Sequence, residues 1–287
     1  MPYILKSNMI EKLQTLGLFI TAWIIWHESC CRLIPSPPLV KKMKTDTEEN
    51  RKAKQIKHYY YASCYIAFLH GPVVSVLALY SWIKYGFEFG EISTETYYDL
   101  PVYISCGYFM VDGCMGFFKK YETFDITFHH ILMSVSLLYV LLSDQDKGFL
   151  AATLFVGECS NPILSIMEIV VYHESGERVE ELVQIFYSIL FLVLRTPYTL
   201  ITGMGLLRGN SSLFVKCPTC LMAWLSLDWS WAYLNKICKL LSKRYPENGF
   251  LRSGYEGMVK ARNYKILYTG CVVLTISYNL LARFGVF

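Results

Sequence analysis

Two adjacent histidines, His129 and His130, follow Asp125 by four and five residues in the stretch ETFDITFHH, which runs straight into the apolar segment ILMSVSLLYVLL. A neutral imidazole has its pKa near working pH, so either ring is a candidate general base against a hydroxyl or amine nucleophile, with Asp112 or Asp125 orienting it. Consecutive helical positions diverge by ~100°, so only one of the pair can point directly at a given partner. The other then meets the headgroup boundary or a neighbouring helix. The plainer alternative is two interfacial histidines satisfied by hydrogen bonds.

Further polar groups stand inside apolar sequence: Asp112, Glu158, Ser160, Asn161, Arg195, Asp228 and Asn235. A charge at mid-membrane depth costs ~2.5–3.5 kcal/mol on insertion scales and therefore faces the interior of a bundle with a partner. Arg195 is expected to neutralise Glu158 or Asp228. In GECSNP (157–162), Pro162 removes a backbone donor and disturbs the carbonyl four residues earlier, at Glu158, so a kink is predicted there. Ser160 and Asn161 are expected to supply replacement hydrogen bonds. Glu158 and Asn161, three apart, share a helix face and point together into a polar cavity.

The elements that must hold these groups are membrane helices. The 287 residues are 54% hydrophobic and only 17% charged, with a mean hydropathy of +0.32, which calls for long apolar blocks. Windows of about 19 residues find eight, at 9–31, 59–85, 100–118, 127–143, 148–172, 182–207, 217–241 and 266–282, the fourth and eighth being short. The predicted fold is an all-α, polytopic bundle of seven to eight spans. At ~1.5 Å per residue, Asp112 and the histidines lie roughly 5–10 Å in from one face, with Glu158, Arg195 and Asp228 nearer mid-depth. Nothing resembling a repeat, a Gly/Ser linker or a cleaved signal peptide interrupts the pattern. Three stretches follow: a first span with a basic loop (1–51), a six-helix membrane domain (52–241), and a basic segment with a final apolar block (242–287).

Placing the basic first loop in the cytosol puts about 19 of the 27 lysines and arginines inside and about 6 outside. The sequon Asn210-Ser211-Ser212 then falls outside, where Asn210 is a weak glycosylation candidate. Because the cations flank apolar blocks, they suit anionic headgroups, and nucleic acid is excluded as a partner. Cys217-Pro-Thr-Cys220 lacks the second cysteine pair that a metal or redox centre needs. Cys30-Cys31, beside the basic loop, could carry a palmitoyl group, although two packing cysteines are the simpler reading. No cofactor and no metal site is expected, and the expected partners are membrane lipids, with a homodimer compatible.

In order and spacing, Asp125-x-x-x-His129-His130, then Gly157-Glu158-x-Ser160-Asn161-Pro162, then Arg195 within the next block, resemble the TLC-domain family, which includes ceramide synthases. Gly107-Tyr108-x-x-x-Asp112 is similar to the family's third-span motif, and the small TLC-domain-containing proteins are the nearest subgroup. The likeness covers roughly 52–241. It implies a lipid-related protein of the endoplasmic reticulum or another endomembrane. In a ceramide synthase, paired histidines and downstream aspartates transfer an acyl chain from acyl-CoA to a sphingoid amine. Here Asp125, His129 and His130 match the first half of that pattern, while Gly157, Glu158 and Asn161 replace the second. Two functions follow: lipid binding or sensing in a polar intramembrane cavity walled by Glu158, Ser160, Asn161, Arg195 and Asp228, or an acyl-CoA-dependent N-acyltransferase working through His129, His130, Asp125 and Asp112.

Overall fold

The computed structural model describes residues 2–86, 98–208 and 211–244, and among these it is helical throughout with no strand. Nine helices follow in order: α1 (Pro2–Leu33), α2 (Pro38–Lys41), α3 (Glu48–Tyr85), α4 (Asp99–Lys119), α5 (Phe124–Ser143), α6 (Lys147–Glu158), α7 (Asn161–Tyr172), α8 (Glu177–Arg208) and α9 (Leu213–Arg244). The first seven hydropathy windows each fall on one of the long helices or, for 148–172, on the α6–α7 pair. Three helical stretches are long and apolar enough to cross a membrane: Glu48–Lys84, Phe124–Ser143 and Lys147–Tyr172. The chain is therefore a helical membrane protein. The window 266–282, the segment 245–287 and Asn210 lie outside the described residues.

The basic connection after the first window is more ordered than hydropathy predicts, since α3 begins at Glu48 and not at 59. Thr47 caps it, its hydroxyl accepting from the Asn50 N–H at 3.1 Å, and Glu48 and Glu49 occupy the first turn. Cap and dipole together make charged sequence helical without any apolar face.

The core forms where α4 packs on α5 and α1, and where α3 packs on α6 and α7; α8 and α9 pair with each other and close the bundle against α7 and α5. Ion pairs register the helix ends. At one end Lys12 of α1 meets Asp144 at 2.7 Å, and the buried Lys147 bridges Asp144 (2.8 Å) and Asp99 (2.7 Å). At the opposite end Lys119 meets Glu28 at 2.6 Å, Lys42 meets Glu174, and Lys243 meets Glu177 at 2.8 Å. Successive long helices thus run up and down between one end knit by Lys12, Asp99, Asp144 and Lys147 and a second end rich in lysine.

Cys30 and Cys31 are both buried against the bundle, which leaves neither thiol at a lipid-facing position for acylation. Cys217 and Cys220 are free cysteines.

Candidate functional site

A cavity of about 560 Å³ opens among α3, α4, α5, α7, α8 and α9 at the lysine-rich end. Its wall is mixed. Tyr60, Phe109, Tyr187, Phe191, Trp229 and Tyr233 supply aromatic surface, while Asp112, Asp125, His129, His130, Asn161 and Arg195 bring the predicted polar groups to the same space. Glu158, Ser160 and Asp228 do not line it; Glu158 lines instead a smaller cavity of about 80 Å³ that it shares with His129, Gly157 and Arg195. The reason lies in helix phase: Ser160 turns into the α6–α7 break, and Asp228 sits one position before the lining residue Trp229, so ~100° of rotation carries it off the cavity face.

One wall holds an acid–imidazole cluster. His130 Nε2 lies 3.8 Å from Asp112 Oδ2, and its Nδ1 lies 3.3 Å from Glu122 Oε1. All three side chains are nearly covered. Asp112 is held by two hydroxyls, Tyr121 donating to Oδ1 at 3.0 Å and Tyr108 to Oδ2 at 3.2 Å. Glu122 also accepts from Thr127 at 3.3 Å. Two glycines make this approach sterically open. A Cβ at Gly113 would stand 2.8 Å from the His130 Cβ, and one at Gly116 would overlap the Glu122 carboxyl. Glu122 sits in the α4–α5 turn, where burial holds its carboxyl above the ordinary range and the His130 contact offsets only part of that rise.

His129 points elsewhere, as the ~100° divergence requires. Its Nδ1 lies 3.0 Å from the Met222 sulfur, and its ring meets Trp229 edge-on at 5.6 Å. The Trp229 indole N–H donates to Asp125 Oδ2 at 3.0 Å, so Asp125 braces α9 and does not orient either histidine.

A second cluster gathers at the α6–α7 break. Glu158 Oε2 lies 3.2 Å from His70 Nδ1 and accepts from Asn161 Nδ2 at 2.8 Å. Arg195 does not reach Glu158 directly. Its Nη2 donates to the Gly157 carbonyl and to Asn161 Oδ1, the latter at 2.7 Å, while its guanidinium lies 5.0 Å from the Phe191 ring centre. Asn161 therefore relays between cation and acid. The predicted interruption is present, with α6 ending at Glu158 and α7 restarting at Asn161. Gly71 lets α3 close on it: a Cβ there would stand 3.0 Å from Pro162 Cδ and 3.1 Å from the Glu158 carbonyl oxygen. The Ser160 hydroxyl, expected to repair the break, is fully buried and finds no hydrogen-bond partner among the described residues.

The two clusters join through Tyr108, whose hydroxyl binds Asp112 and whose ring stacks on His70 at 3.9 Å. A polar seam thus runs from Glu122 through His130, Asp112, Tyr108, His70, Glu158 and Asn161 to Arg195. Compared with family models, with curated proteins and with solved structures, the chain finds no match. Sequence reasoning missed Glu122 and His70. Glu122 was hidden by lying between windows, and His70 by standing alone in the second one; the Gly-Pro after His70 was the available signal of a close helix approach.

Proposed function

We propose that this chain is a multi-pass TLC-type membrane protein that binds a lipid in the cavity at its lysine-rich end and so takes part in membrane lipid homeostasis. The supporting observation is the wall itself: aromatic surface suited to an acyl chain, joined to a buried polar seam suited to a headgroup. Its volume of about 560 Å³ falls in the ~300–1,000 Å³ range of small-molecule sites. Seven alternating spans, with the lysine-rich end cytosolic, agree with the charge bias of the loops. An endomembrane location such as the endoplasmic reticulum rests on the family resemblance.

Lipid mass spectrometry of protein purified into nanodiscs tests the reading. Wild type should retain a defined lipid, and Ser165→Phe, which fills the cavity from a buried wall position, should lose it. Equal lipid profiles would reject the proposal.

A second reading is favoured by the buried His130 with its two carboxylates. In it, His130 takes the proton of a lipid amine as nitrogen attacks the acyl-CoA carbonyl. The N–C bond forms, the C–S bond breaks, and the proton passes to the departing thiolate. Incubation with acyl-CoA and a long-chain base, comparing wild type with His129→Ala/His130→Ala, separates the two: turnover lost in that variant supports transfer.

A further inference from the structure

We propose that Asp112, Glu122 and His130 form a binding site for a divalent first-row transition ion, Zn²⁺ foremost, on the wall of the cavity. One ligand atom from each of the three side chains lies within 4.8 Å of the other two. Ligands ~2.1 Å from a tetrahedral ion stand ~3.4 Å apart, so side-chain adjustments of about an ångström close the set.

Three independent observations support a cation here. Charge comes first. Among the described residues no lysine or arginine pairs with Asp112 or Glu122, so two buried carboxylates face a single imidazole. A divalent ion cancels that excess and offsets the cost of burying two acids in an apolar bundle. The second is an unused ring nitrogen. His130 is 6% exposed, yet among the described residues its Nδ1 makes no well-aligned hydrogen bond, Glu122 Oε1 lying 3.3 Å away in ion-pair contact. A bound ion accounts for a buried imidazole nitrogen that stands among carboxylate oxygens without an aligned hydrogen bond. Third is the scaffold. Tyr108 and Tyr121 anchor both Asp112 oxygens, Thr127 anchors Glu122, and Gly113 and Gly116 admit the two side chains against α4. Such outer contacts orient ligands and sharpen metal affinity.

The donor set decides the ion. One imidazole with two carboxylates suits Zn²⁺, and also Fe²⁺ or Mn²⁺. Ca²⁺ requires six to eight oxygens and Mg²⁺ an octahedral oxygen shell, neither of which these three residues provide. All three line the cavity, so the coordination position they leave open faces it. That position suits an oxygen ligand. The metal site itself does not depend on the lipid reading.

The experiment uses the full chain in detergent, stripped with a chelator, dialysed against Zn²⁺ and then metal-free buffer, with metal content measured by mass spectrometry. Wild type and Glu28→Gln, an acid outside the cluster, should hold about one Zn²⁺ per chain. Glu122→Gln and Asp112→Asn, near-isosteric changes, should each lower affinity at least ten-fold, and Tyr121→Phe should weaken it about ten-fold with every ligand present. Helix content by circular dichroism confirms that each variant is folded. Co²⁺ loading reads the geometry directly, because a tetrahedral N/O site gives visible absorption bands that Glu122→Gln should abolish. Folded wild type without bound metal after dialysis, or a Glu122→Gln protein binding as tightly as wild type, would overturn the proposal.

Discussion

Replacing Arg195 by methionine keeps length and apolar contact with Phe191 while removing the guanidinium that ties α8 to the α6–α7 break. Two hydrogen bonds are lost, to the Gly157 carbonyl and to Asn161 Oδ1. Hydrogen bonds to charged groups contribute ~1.5–3 kcal/mol each in soluble proteins. Between membrane helices the measured couplings average only ~0.6 kcal/mol and reach ~1.7, because the unfolded reference also finds partners. The second scale applies, and two such bonds give about 1–3 kcal/mol of destabilisation. Arg195→Lys, a point charge able to reach one of the two acceptors, should recover about half. Unfolding in mixed micelles of increasing SDS fraction, followed by far-UV circular dichroism, measures both. A cycle with Asn161→Leu should give a coupling of about 1 kcal/mol. If Arg195→Met changes stability by less than ~0.5 kcal/mol and adds independently to Asn161→Leu, Arg195 does not clamp the break.

Gly116→Ala should displace the Glu122 carboxyl and, with no charge altered, weaken Zn²⁺ uptake as Glu122→Gln does; unchanged uptake would place Glu122 outside the cluster. Gly71→Val should overpack the α3–α7 contact and cost ~1–3 kcal/mol in the same SDS titration, because the opposing atoms are a proline ring and a backbone oxygen that cannot step aside. At the opposite end, burial works to raise the Asp144 carboxyl, but Lys12 and Lys147 outweigh it and hold it below its ordinary range. A depressed folded pKa contributes stability above the unfolded value of ~3.9 and loses it as pH falls through the folded one. Wild type should therefore exceed Asp144→Asn in stability at neutral pH and converge with it in strong acid.

Hydropathy located the helices because in a bilayer every backbone group must be satisfied within its own helix, which forces long apolar runs that a window can find. It failed where other forces act, as at 48–58, where a threonine cap and two glutamates extend α3 through charged sequence. The meeting of Asp112 with His130 was legible from depth alone, since both stand a similar distance along antiparallel neighbours. Arg195 was correctly sent to the α6–α7 region, but its hydrogen bonds go to the Gly157 carbonyl and to Asn161 and reach Glu158 only through that amide, because spacing gives height and not the intervening Asn161. Glu122 was out of reach for a different reason: its role comes from a turn and two glycines, neither of which has a periodic signature. Ser160 shows the limit of residue-type reasoning, a hydroxyl suited to repair a broken helix yet without a hydrogen-bond partner among the described residues.

The missing rung at Pro162 divides one apolar stretch into two helical rods. The upper rod, α6, is locked by Lys147 to the ends of α4 and α5. The lower rod, α7, contributes Asn161, Ser165 and Glu168 to the cavity wall. Asn161 is the joint between the two rods, tied to Glu158 on one rod and to Arg195 of α8 on the other side, so the wall of the cavity and the ion-paired far end are coupled through one amide side chain.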